Sequence, residues 1–457
     1  MTDPIQGPVH LVGIGGMHMS AIAQILRAQD VVVTGSDLRP SPLTARLQDL
    51  GATVFEGHAA VNVGDAALVV TTVAAKDDNP ELVEARRRGI PVLVRAEMVA
   101  RLIADKRVIA VAGSHGKTTT SSLIAFILSE AGRKPMYMLG GESIDLGGNA
   151  AWGEGDVCVV EADEYGRAFL EYDPAVAVIT NIEPDHLDYY GTPEAYIEAF
   201  EQFAQRVIPG GVLLVGDGSP TTERLASSIE LSQVEVETFG LSPRDHWMAG
   251  NPKYTGSNAT FAVLQLGKNV GQLIVNVPGE HFVIDTLAAA AVCLHEGVDF
   301  GDIAKAVSKF RGARRRFELV GEAKGVLVMD DYAHHPTEVR ATLSAARARF
   351  GGRRIIGVFQ PHTYSRTAYL WDEWTTCWDD LDALVVLETY AAREPESAGR
   401  GAEELARAIT RPPAVYARDF DDAAEKAANL ASAGDVIFTI GAGDVDAVGP
   451  RILEVLK

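Results

Sequence analysis

The sequence lacks the features that would place the protein in a membrane or in an oxidising compartment. Only three of its 457 residues are cysteines, Cys158, Cys293 and Cys377, and they form no CxxC pair. They cannot build a metal cage or a disulfide framework, so we expect small buried side chains in a reducing cytosol. No run of about 18 apolar residues is present, and no membrane span is expected. The first residues, MTDPIQGPVH, lack the basic start and the apolar stretch of a signal peptide, and a cytoplasmic location is expected.

Basic residues are scarce relative to acidic ones. The chain has 41 lysines and arginines against 62 aspartates and glutamates, and its formal net charge is −21. A nucleic-acid-binding protein normally carries a basic surface and a high isoelectric point, so an enzyme acting on small molecules is expected instead. Any anionic ligand must be bound by local features such as glycine loops and helix N-termini.

Short β-branched segments alternate along the chain with longer segments of helical period. This alternation is typical of βα units around parallel sheets, and it restarts near Arg107 and again near Gly325. Apolar residues make up 47% of the chain, and its length is sufficient for several globular domains. The predicted fold class is α/β with three domains, each a mainly parallel sheet with flanking helices. The domains are predicted as residues 1–106 (Rossmann-like), 107–318 (a phosphate-loop ATPase) and 319–457 (Rossmann-like). The segment from about 231 to 278 is predicted to be strand-rich and to form an edge of the second sheet.

A glycine-rich loop, Gly13-Ile14-Gly15-Gly16-Met17-His18-Met19-Ser20, follows the first predicted strand and precedes a predicted helix. Glycines at such a turn let backbone amides approach a diphosphate at the helix N-terminus. Asp37 ends the next predicted strand, where a ribose-binding acid is expected. The last glycine of the dinucleotide fingerprint is missing, so a tight strand–helix turn without a ligand is the alternative interpretation.

A second glycine-rich loop, Gly113-Ser114-His115-Gly116-Lys117-Thr118-Thr119-Thr120, also lies between a predicted strand and a predicted helix. Its amides are expected to hold the β- and γ-phosphates of a nucleoside triphosphate, with Lys117 supplying a positive charge and Thr118 ligating Mg²⁺. Val111 stands where the usual phosphate loop has its first glycine. The strand–loop–helix arrangement still predicts a nucleoside triphosphate site.

Acidic residues and one histidine follow the next two predicted strands. Glu161-Ala162-Asp163-Glu164 ends one strand, and the segment NIEPDHLD, residues 181–188, ends the other. Because the carboxyl ends of parallel strands meet at the same edge as the phosphate loop, a Mg²⁺ ion bridging the phosphates is predicted there. Taken singly, each acid is also explained as a loop residue or a helix cap.

Two motifs of the predicted third domain combine histidines with acids, aromatic residues and an arginine. They are DDYAHHP, residues 330–336, and FQPHTYSRT, residues 359–367, and each follows a predicted strand. Such side chains at a sheet edge can orient a carboxylate and stabilise charge in a transfer step, although solvated loops explain them equally well. The segment GARRRF, residues 312–317, is interpreted either as a basic linker or as the source of an arginine for the γ-phosphate.

These motifs, in this order, resemble the Mur ligase family over nearly the whole length of the chain. The strings that carry the resemblance are GIGGMHMS, TGSD, GSHGKTTT, EADE, TNIEPDHLDYY, ARRRFE, DDYAHHPTEV, FQPHTYSRT and GAGD. The resemblance implies a first domain that binds a uridine diphosphate sugar, a central domain that binds ATP and a C-terminal domain that binds the incoming amino acid. It implies ADP-forming ligation of L-alanine to the carboxylate of UDP-N-acetylmuramate through an acyl phosphate, in peptidoglycan precursor synthesis. ATP and Mg²⁺, or Mn²⁺, are the implied cofactors.

The resemblance also implies roles for individual residues. The expected catalytic residues are Lys117, His186, His334 and Arg366. The expected ATP-binding residues are Gly113, Ser114, His115, Gly116, Lys117, Thr118, Thr119, His281 and Arg316. The expected substrate-binding residues are Gly15, Gly16, Met17, His18, Met19, Ser20, Asp37, Thr71, Thr72, Tyr332 and His362. The expected metal ligands are Thr118, Glu161 and His186.

The chain departs from the family pattern in several motifs. The adenine motif GxHNxxNaLAA is replaced by GEHFVIDTLAA, residues 279–289, so both asparagines are absent and only His281 is carried over. EADESDxSF becomes EADEYGRAF, which is closer to the murein-peptide recycling ligases, whereas FQPHTYSRT and TNIEPDHLDYY resemble the alanine-adding enzyme. A recycling ligase that attaches the tripeptide L-Ala-γ-D-Glu-meso-diaminopimelate is therefore the alternative function. His18 stands where the family commonly has glycine.

Two functions of other classes compete with a ligase. A nicotinamide oxidoreductase explains the first glycine loop but not GSHGKTTT, and a nucleotide-regulated binding module explains the loops without a reaction. UDP-N-acetylmuramate and L-alanine are the expected small-molecule partners, with no nucleic acid and no membrane. The chain is expected to be a monomer or a weak homodimer. Because the expected site residues are spread over three blocks, ligands are expected to close the domains over the site.

Overall fold

The computed structural model describes residues 5–73, 75–229, 233–256, 258–392 and 394–457. Contacts divide the chain into two units. The first unit contains the residues up to Gly250 together with Val263–Gly271 and Asp285–Phe310, and the second contains Asn251–Ala262, Gln272–Ile284 and Arg311–Lys457. Among the described residues, no helix combines the length and the apolar character that crossing a membrane requires.

The N-terminal part of the first unit is a parallel sheet flanked by helices. Its strands are β1 (Val9–Val12), β2 (Val33–Asp37), β3 (Thr53–Glu56), β4 (Leu68–Thr71) and β5 (Val92–Val94), and its helices are α1 (Met17–Ala28), α2 (Pro42–Asp49), α3 (Pro80–Arg88) and α4 (Arg95–Ile103). The described strands follow the order β3-β2-β1-β4-β5, and neighbouring strands are parallel. The strand order reverses between β1 and β4, so the loops after these two strands open on the crevice where ligands bind in such sheets.

A larger sheet follows in the chain. Its strands are β6 (Arg107–Ala112), β7 (Met136–Ser143), β8 (Gly148–Ala151), β9 (Val157–Glu161), β10 (Val176–Ile179), β11 (Val212–Gly216), β12 (Glu235–Gly240), β13 (Trp247–Thr255), β14 (Asn258–Gln265) and β15 (Lys268–Val275). The helices of this part are α5 (Lys117–Glu130), α6 (Leu187–Tyr190), α7 (Pro193–Ala204), α8 (Pro220–Ser228), α9 (Glu280–His295) and α10 (Phe300–Lys309). The described strand order is β15-β14-β13-β12-β11-β10-β6-β9-β7-β8. The central strands β9, β6, β10 and β11 are parallel to their neighbours, and β7 and β8 are antiparallel to each other.

Helix α5 explains why the second glycine loop is rigidly placed. Every residue of this helix from Thr118 to Leu128 is buried, so the helix packs on all sides and its N-terminus is fixed against the sheet. At the other end of the sheet, β12 to β15 form the strand-rich edge that the sequence predicts for the segment from about 231 to 278. Strands β13 to β15 and helix α9 contribute residues to both units.

The second unit contains the third sheet. Its strands are β16 (Glu318–Ala323), β17 (Val326–Asp331), β18 (Ile355–Phe359), β19 (Ala383–Leu387), β20 (Ala414–Ala417) and β21 (Val436–Ile440). Its helices are α11 (Pro336–Phe350), α12 (Tyr364–Tyr369), α13 (Trp371–Trp374), α14 (Ala402–Ala408), α15 (Phe420–Leu430) and α16 (Val448–Leu456). The described order is β16-β17-β21-β18-β19-β20, in which only the β16–β17 pair is antiparallel. Strands β18, β19 and β21 are buried along their whole length, as expected where helices cover both faces of a parallel sheet.

The predicted fold class, α/β with three mainly parallel sheets and flanking helices, is confirmed. The three cysteines are free and buried, as the composition predicts. The predicted site motifs follow β1, β6, β9, β10, β17 and β18, and they therefore lie at the carboxyl ends of parallel strands.

Candidate functional site

The predicted phosphate loop connects β6 to α5 and requires glycine at two positions. Gly113 and Gly116 have φ angles of 136° and 82°. A Cβ atom on Gly113 would lie 1.9 Å from Oγ1 of Thr180. Other residues would strain this backbone, which glycine adopts freely. The turn directs the amides at the start of α5 into the loop, where they can bind phosphate.

The loop is fastened to the segment that follows β10. The amide of His115 donates to Oδ1 of Asn181 at 2.9 Å, and the hydroxyl of Thr180 donates to the carbonyl of His115 at 2.5 Å. The hydroxyl of Ser114 donates to the carbonyl of Glu183 at 2.8 Å and accepts from its amide at 2.8 Å. The segment after β10, whose acids and histidine are predicted to serve a Mg²⁺ ion, therefore also shapes the phosphate loop.

Lys117, at the start of α5, is surrounded by oxygen atoms. Its Nζ donates to the carbonyls of Gly113 and Ser114 and lies 2.9 Å from a carboxylate oxygen of Glu164. Burial alone would lower the pKa of Lys117, but the Glu164 and Glu161 carboxylates outweigh it and raise the pKa. The side chain therefore stays protonated, as a group that binds phosphate oxygens must.

Two of the predicted metal ligands, Thr118 and Glu161, lie beside Gly140 and Gly141 of β7. Oε2 of Glu161 accepts from the amide of Gly140 at 2.8 Å, and a Cβ atom on Gly140 would lie 2.1 Å from Oε1. A Cβ atom on Gly141 would lie 3.0 Å from Cγ2 of Thr118. The glycine pair thus leaves room for both oxygen donors, which are the ligand type that Mg²⁺ prefers.

The third predicted metal ligand, His186, precedes α6 with a left-handed backbone (φ 53°). Its Nε2 lies 3.7 Å from Oε1 of Glu164, the carboxylate that also contacts Lys117. Its ring packs edge-on against Tyr165, with 5.1 Å between centroids. Glu164, which belongs to the predicted acid motif but not to the expected metal ligands, therefore lies between the predicted lysine and the predicted histidine.

In the first glycine loop, donors that were expected to bind a diphosphate already have acceptors within the protein. The amide of Gly15 donates to Oδ2 of Asp37 at 2.9 Å, and the amide of Gly16 donates to the carbonyl of Gly13 at 3.1 Å. Asp37, predicted to bind a ribose, thus holds the loop itself. Thr72 also lies at the loop, since a Cβ atom on Gly13 would be 3.5 Å from its Cγ2.

The rest of the loop forms the first turn of α1. Met19 and Ser20 are buried, and the Ser20 hydroxyl donates to the carbonyl of Met17 at 2.8 Å. Thr71 is buried as well, and its hydroxyl donates to the carbonyl of Thr72 at 3.3 Å. These side chains face the protein. The loop therefore offers a ligand the first-turn amides of α1, which have no acceptor within a helix.

Polar contacts join the N-terminal sheet, which carries the first glycine loop, to the larger sheet, which carries the phosphate loop. Arg95, at the start of α4, lies 2.9 Å from Asp163, which follows β9. Asn149, in β8, donates to the carbonyl of Met17 at 2.8 Å. Burial alone would raise the pKa of Asp163, but Arg95 together with the other positive groups nearby, among them Lys117, outweighs it and holds the pKa below its usual range. No sequence motif marks Arg95 or Asn149, although Arg95 opens a helix directly after a strand, which is a position where a ligand-site residue is common.

Asp285 stands where the resembling family has an asparagine, and it lies against the phosphate loop. A Cβ atom on Gly116 would be 2.4 Å from Oδ1 of Asp285, which is buried. A carboxylate here adds negative charge at a place where phosphates are expected, and unlike charges on the surface it is weakly screened by solvent.

In the second unit, the predicted histidines and aromatic residues form a ring cluster. The rings of His334 and His362 have centroids 6.1 Å apart, and His334 packs edge-on against Tyr332 at 5.4 Å. His362 stacks on Tyr390 at 5.3 Å with 10° between the ring planes. Nη1 of Arg366 lies 2.8 Å from Nδ1 of His362 and donates to its carbonyl at 2.7 Å. The structure thus brings all four predicted residues together and adds Tyr390, which no motif marked.

Glu338 lies at one side of the ring cluster. Its carboxylate accepts from the amides of His334 and His335 at 2.9 and 3.3 Å and lies 3.8 Å from Nη1 of Arg316. The guanidinium of Arg316 also lies 5.1 Å from the centroid of the Tyr332 ring. Arg316, predicted to reach the γ-phosphate, is therefore positioned by an acid and an aromatic face.

The neighbouring Arg315 is used to hold the unit together. Its Nε lies 3.0 Å from Oδ2 of Asp330, and its two Nη atoms donate to the carbonyls of Gly443 and Gly441 at 2.9 and 2.7 Å. Burial raises the pKa of Asp330 to about 6, although Arg315 acts against the rise. Because these contacts are all within the second unit, Arg315 is a structural residue. The adjacent Arg316 is the arginine that is predicted to reach the γ-phosphate.

The predicted ATP-binding residues fall into two groups. Residues 113–119 belong to the first unit, with Thr118 and Thr119 buried in the first turn of α5, whereas His281 and Arg316 belong to the second. Burial lowers the pKa of His281 to about 4, and the Arg316 charge acts in the same direction. His281 is therefore neutral at physiological pH.

Three family models match the chain in sequence order. The model described as Mur ligase family, catalytic domain, matches residues 8–107. The Mur ligase middle domain matches residues 111–293, and the Mur ligase, glutamate ligase domain, matches residues 315–443.

Curated relatives match over nearly the full chain. A UDP-N-acetylmuramate–L-alanine ligase of Desulfotalea psychrophila is 42% identical over 452 residues, which cover 98% of either chain. One of Saccharopolyspora erythraea is 44% identical over 454 residues, covering 97% of this chain and 92% of the relative.

Solved structures show the same architecture. The crystal structure of the UDP-N-acetylmuramate–alanine ligase MurC from Thermotoga maritima matches with a TM-score of 0.84 and 29% identity, covering 98% of both chains. A murein peptide ligase from Psychrobacter arcticus matches with a TM-score of 0.74 and 26% identity, also covering 98% of both chains. Of these two structures, the alanine ligase is the more similar.

Proposed function

The chain belongs to the Mur ligase family, and we propose that it catalyses the ATP-dependent ligation of L-alanine to the carboxylate of UDP-N-acetylmuramate. The products are the amide, ADP and phosphate, and the reaction belongs to peptidoglycan precursor synthesis. The identity to relatives that carry this name over almost the whole chain supports the proposal.

One observation carries the proposal. Within the first unit, the N-terminal sheet, which carries the first glycine loop, and the larger sheet, which carries the phosphate loop, are joined by the Arg95–Asp163 ion pair and by the Asn149–Met17 hydrogen bond. Two nucleotide-binding loops held together in this way can bring a carboxylate on one nucleotide to the γ-phosphate of the other. A ligase that activates its acid by phosphorylation needs this arrangement.

The first step is activation of the sugar carboxylate. The phosphate-loop amides and Lys117 hold the β- and γ-phosphates of ATP. One carboxylate oxygen forms a bond to the γ-phosphorus while the bond from that phosphorus to ADP breaks, which gives an acyl phosphate. Lys117 neutralises charge on the transferred group. The step is needed because a carboxylate is a poor acyl donor until one of its oxygens becomes a leaving group.

Mg²⁺ is proposed as the cofactor, with Thr118, Glu161 and His186 as the residues that would hold it. The buried oxygen donors beside the glycine pair of β7 fit this ion, and an imidazole ligand also suits Mn²⁺. When bound, the ion supplies positive charge that neutralises the crowded phosphate oxygens.

The ring cluster of the second unit is proposed to serve the second step. The neutral amine of L-alanine forms a bond to the acyl carbon, the bond from that carbon to the phosphate oxygen breaks, and the amine loses a proton. Arg366 is proposed to bind the alanine carboxylate through its guanidinium charge, and Arg316 to supply positive charge to the departing phosphate. His334 is proposed to accept the amine proton, while Tyr332 and His362 line the site.

Phosphate release tests the function. The protein is mixed with ATP, Mg²⁺ and UDP-N-acetylmuramate, and L-alanine is compared with L-Ala-γ-D-Glu-meso-diaminopimelate. The proposal expects release with L-alanine and a product heavier by one alanyl residue. Release with the tripeptide alone would reassign the chain to the recycling ligases, and release with neither would remove the proposed reaction.

The domain boundaries near residues 106 and 318 remain proposals, as do a cytoplasmic location and a monomeric or weakly dimeric state. Sedimentation of the protein at several concentrations measures the last of these directly. A constant sedimentation coefficient would indicate one species, whereas an increase with concentration would indicate a weak dimer.

A further inference from the structure

His18 is a polar side chain of the first glycine loop for which the mechanism above has no specific use. It lies in the first turn of α1, and its Nε2 atom is buried without a hydrogen-bond partner among the described residues. A buried imidazole nitrogen without a partner costs free energy in the ligand-free protein. Such an atom at a ligand loop indicates a partner that arrives with the ligand.

The first turn of α1, which carries His18, lies against the larger sheet. The carbonyl of Met17, the residue before His18, accepts a hydrogen bond from the side-chain amide of Asn149 in β8 at 2.8 Å, and the same amide donates to the Ser20 hydroxyl at 3.4 Å. The charges of Arg95, Asp163 and Lys117 influence the pKa of His18, and Lys117 belongs to the phosphate loop. His18 therefore lies in the part of the sugar-nucleotide loop that packs on the sheet carrying the phosphate loop.

The neighbouring charges already have partners. Arg95 pairs with Asp163 at 2.9 Å, and Lys117 lies 2.9 Å from Glu164. Burial lowers the pKa of His18 to about 4, and the Arg95 charge acts in the same direction. His18 is thus a neutral imidazole at physiological pH, with one nitrogen able to carry a hydrogen that it can donate.

We propose that Nε2 of His18 donates a hydrogen bond to the carboxylate-bearing group of the sugar acid and so orients the oxygen that attacks the γ-phosphorus. This inference rests on the proposed function, because only a substrate held at the first loop and phosphorylated at Lys117 presents a carboxylate between them. A neutral donor suits the task, because it orients the carboxylate without forming an ion pair that would make the oxygen a weaker nucleophile. His18 is therefore a positioning residue that distinguishes a carboxylate-bearing sugar nucleotide from others.

The test uses the ring nitrogen resonances of the intact protein. The chain has 11 histidines, and His18 is assigned in ¹⁵N-histidine-labelled protein from the spectrum of His18→Gln, or of His18→Asn if the first variant does not fold. UDP-N-acetylmuramate is compared with UDP-N-acetylglucosamine, which lacks the carboxylate. The proposal expects the Nε2 resonance to move with the first ligand only. Equal movement with both ligands would assign His18 to the diphosphate, and no movement at saturation with either would remove it from the site.

Kinetics supply an independent readout. His18→Ala is expected to raise the KM for UDP-N-acetylmuramate or lower kcat by about tenfold in all, the effect of one hydrogen bond. The KM values for ATP and L-alanine are expected to stay within about twofold of the wild-type values. His18→Gln should lose less than His18→Ala because it keeps a donor. The matched control is His246→Gln, a histidine outside both loops. A loss shared by all three KM values would indicate a merely structural role.

Failure of this inference and failure of the proposed function give different results. If wild-type protein releases phosphate with L-alanine but His18 responds to neither sugar nucleotide, the function stands and the positioning role falls. If His18 responds to UDP-N-acetylmuramate alone while no phosphate is released with L-alanine or with the tripeptide, the sugar-acid contact stands and the proposed reaction falls.

Discussion

The phosphate loop of the first unit and the ring cluster of the second are assembled in different ways. The loop is one continuous segment, residues 113–119, whose shape depends on two glycines with positive φ and on hydrogen bonds to the segment that follows β10. The ring cluster takes its members from residues after β17, β18 and β19, and its contacts are between aromatic and imidazole rings. A site built from backbone is carried by a short sequence motif, whereas a site built from distant side chains depends on the sheet that brings them together.

The two regions also differ in charge. Around the phosphate loop, the partly buried Lys117 lies among the carboxylates of Glu161, Asp163 and Glu164. Around the ring cluster, Arg316 and Arg366 accompany histidines and the carboxylate of Glu338. The acid-rich region suits a triphosphate that arrives with a divalent cation, and the cation-rich region suits an amino-acid carboxylate and a departing phosphate.

The largest effect is expected for a variant that should block the first step of the reaction, formation of the acyl phosphate. Lys117→Ala removes the positive charge that the lysine supplies to the phosphate loop and is expected to lower turnover by about 10³-fold or more, with no acyl phosphate formed. Borohydride reduction of the sugar carboxyl group, followed by mass spectrometry, detects the acyl phosphate. The control is Lys134→Ala, an exposed lysine paired with Glu154, which is expected to behave as wild type. Substantial turnover by Lys117→Ala would mean that the phosphate site is elsewhere.

Arg366→Ala tests whether the ring cluster serves the second step, in which the amine attacks the acyl phosphate. The variant loses the donor to His362 and the proposed alanine contact, and turnover is expected to fall by about 10²-fold with a higher KM for L-alanine. Acyl phosphate formation without L-alanine is expected to persist, in contrast to Lys117→Ala. Arg407→Ala, at an exposed arginine on α14 that pairs with Glu403, is the control. Loss of the acyl phosphate in Arg366→Ala would show that the two regions do not divide the reaction in this way.

Asp285→Asn tests whether the negative charge beside the phosphate loop weakens ATP binding. Removing a buried negative charge next to Gly116 is expected to lower the KM for ATP by about threefold to tenfold, because the phosphates are no longer repelled. The KM for UDP-N-acetylmuramate is expected to be unchanged. Asp302→Asn, an exposed acid on α10, is the matched charge control. A higher KM for ATP would mean instead that the Asp285 carboxylate supports the nucleotide.

The smallest effect is expected for a glutamate–histidine pair that lies outside the phosphate loop and the ring cluster. Glu237 accepts from Nε1 of Trp247 at 2.7 Å and contacts Nε2 of His295 at 2.8 Å. The hydrogen bond to Glu237 raises the pKa of His295 above its ordinary 6.5. The stability that this charged pair contributes is therefore fully present below about pH 6.5 and is lost as the pH rises through the raised pKa.

His295→Gln removes this contribution. Relative to wild type, its strand β12 is expected to exchange amide hydrogens faster at pH 6, and the difference should shrink by pH 8.5 after correction for intrinsic exchange. The expected size is about 1 kcal/mol or less, and catalysis should be unaffected. The Glu237→Gln/His295→Gln double variant controls for the pair. A difference that grows with pH would contradict the assignment of the charge.

Individual residues show how far sequence reasoning reached. The strand–loop–helix context predicted where Lys117 and Gly116 would lie, because phosphate loops need glycine conformations and a helix N-terminus. It did not predict that Asp37 would bond the amide of Gly15, or that Glu164 would contact both Lys117 and His186. Those pairings depend on how close two strand ends come, and spacing along the chain does not encode that distance.

The sequence is sufficient to predict the alternation of strands and helices, the two glycine loops and the acid and histidine motifs at strand ends. These depend on local propensity, periodicity and backbone conformation, which act over a few residues. Four features depend on tertiary packing and could not be predicted from the sequence. They are the Arg95–Asp163 ion pair, the burial of Nε2 of His18, the position of Asp285 against Gly116 and the stacking of His362 on Tyr390. Each of these joins residues far apart in the chain, and such contacts form only when packing of the sheets and helices brings their ends to one place.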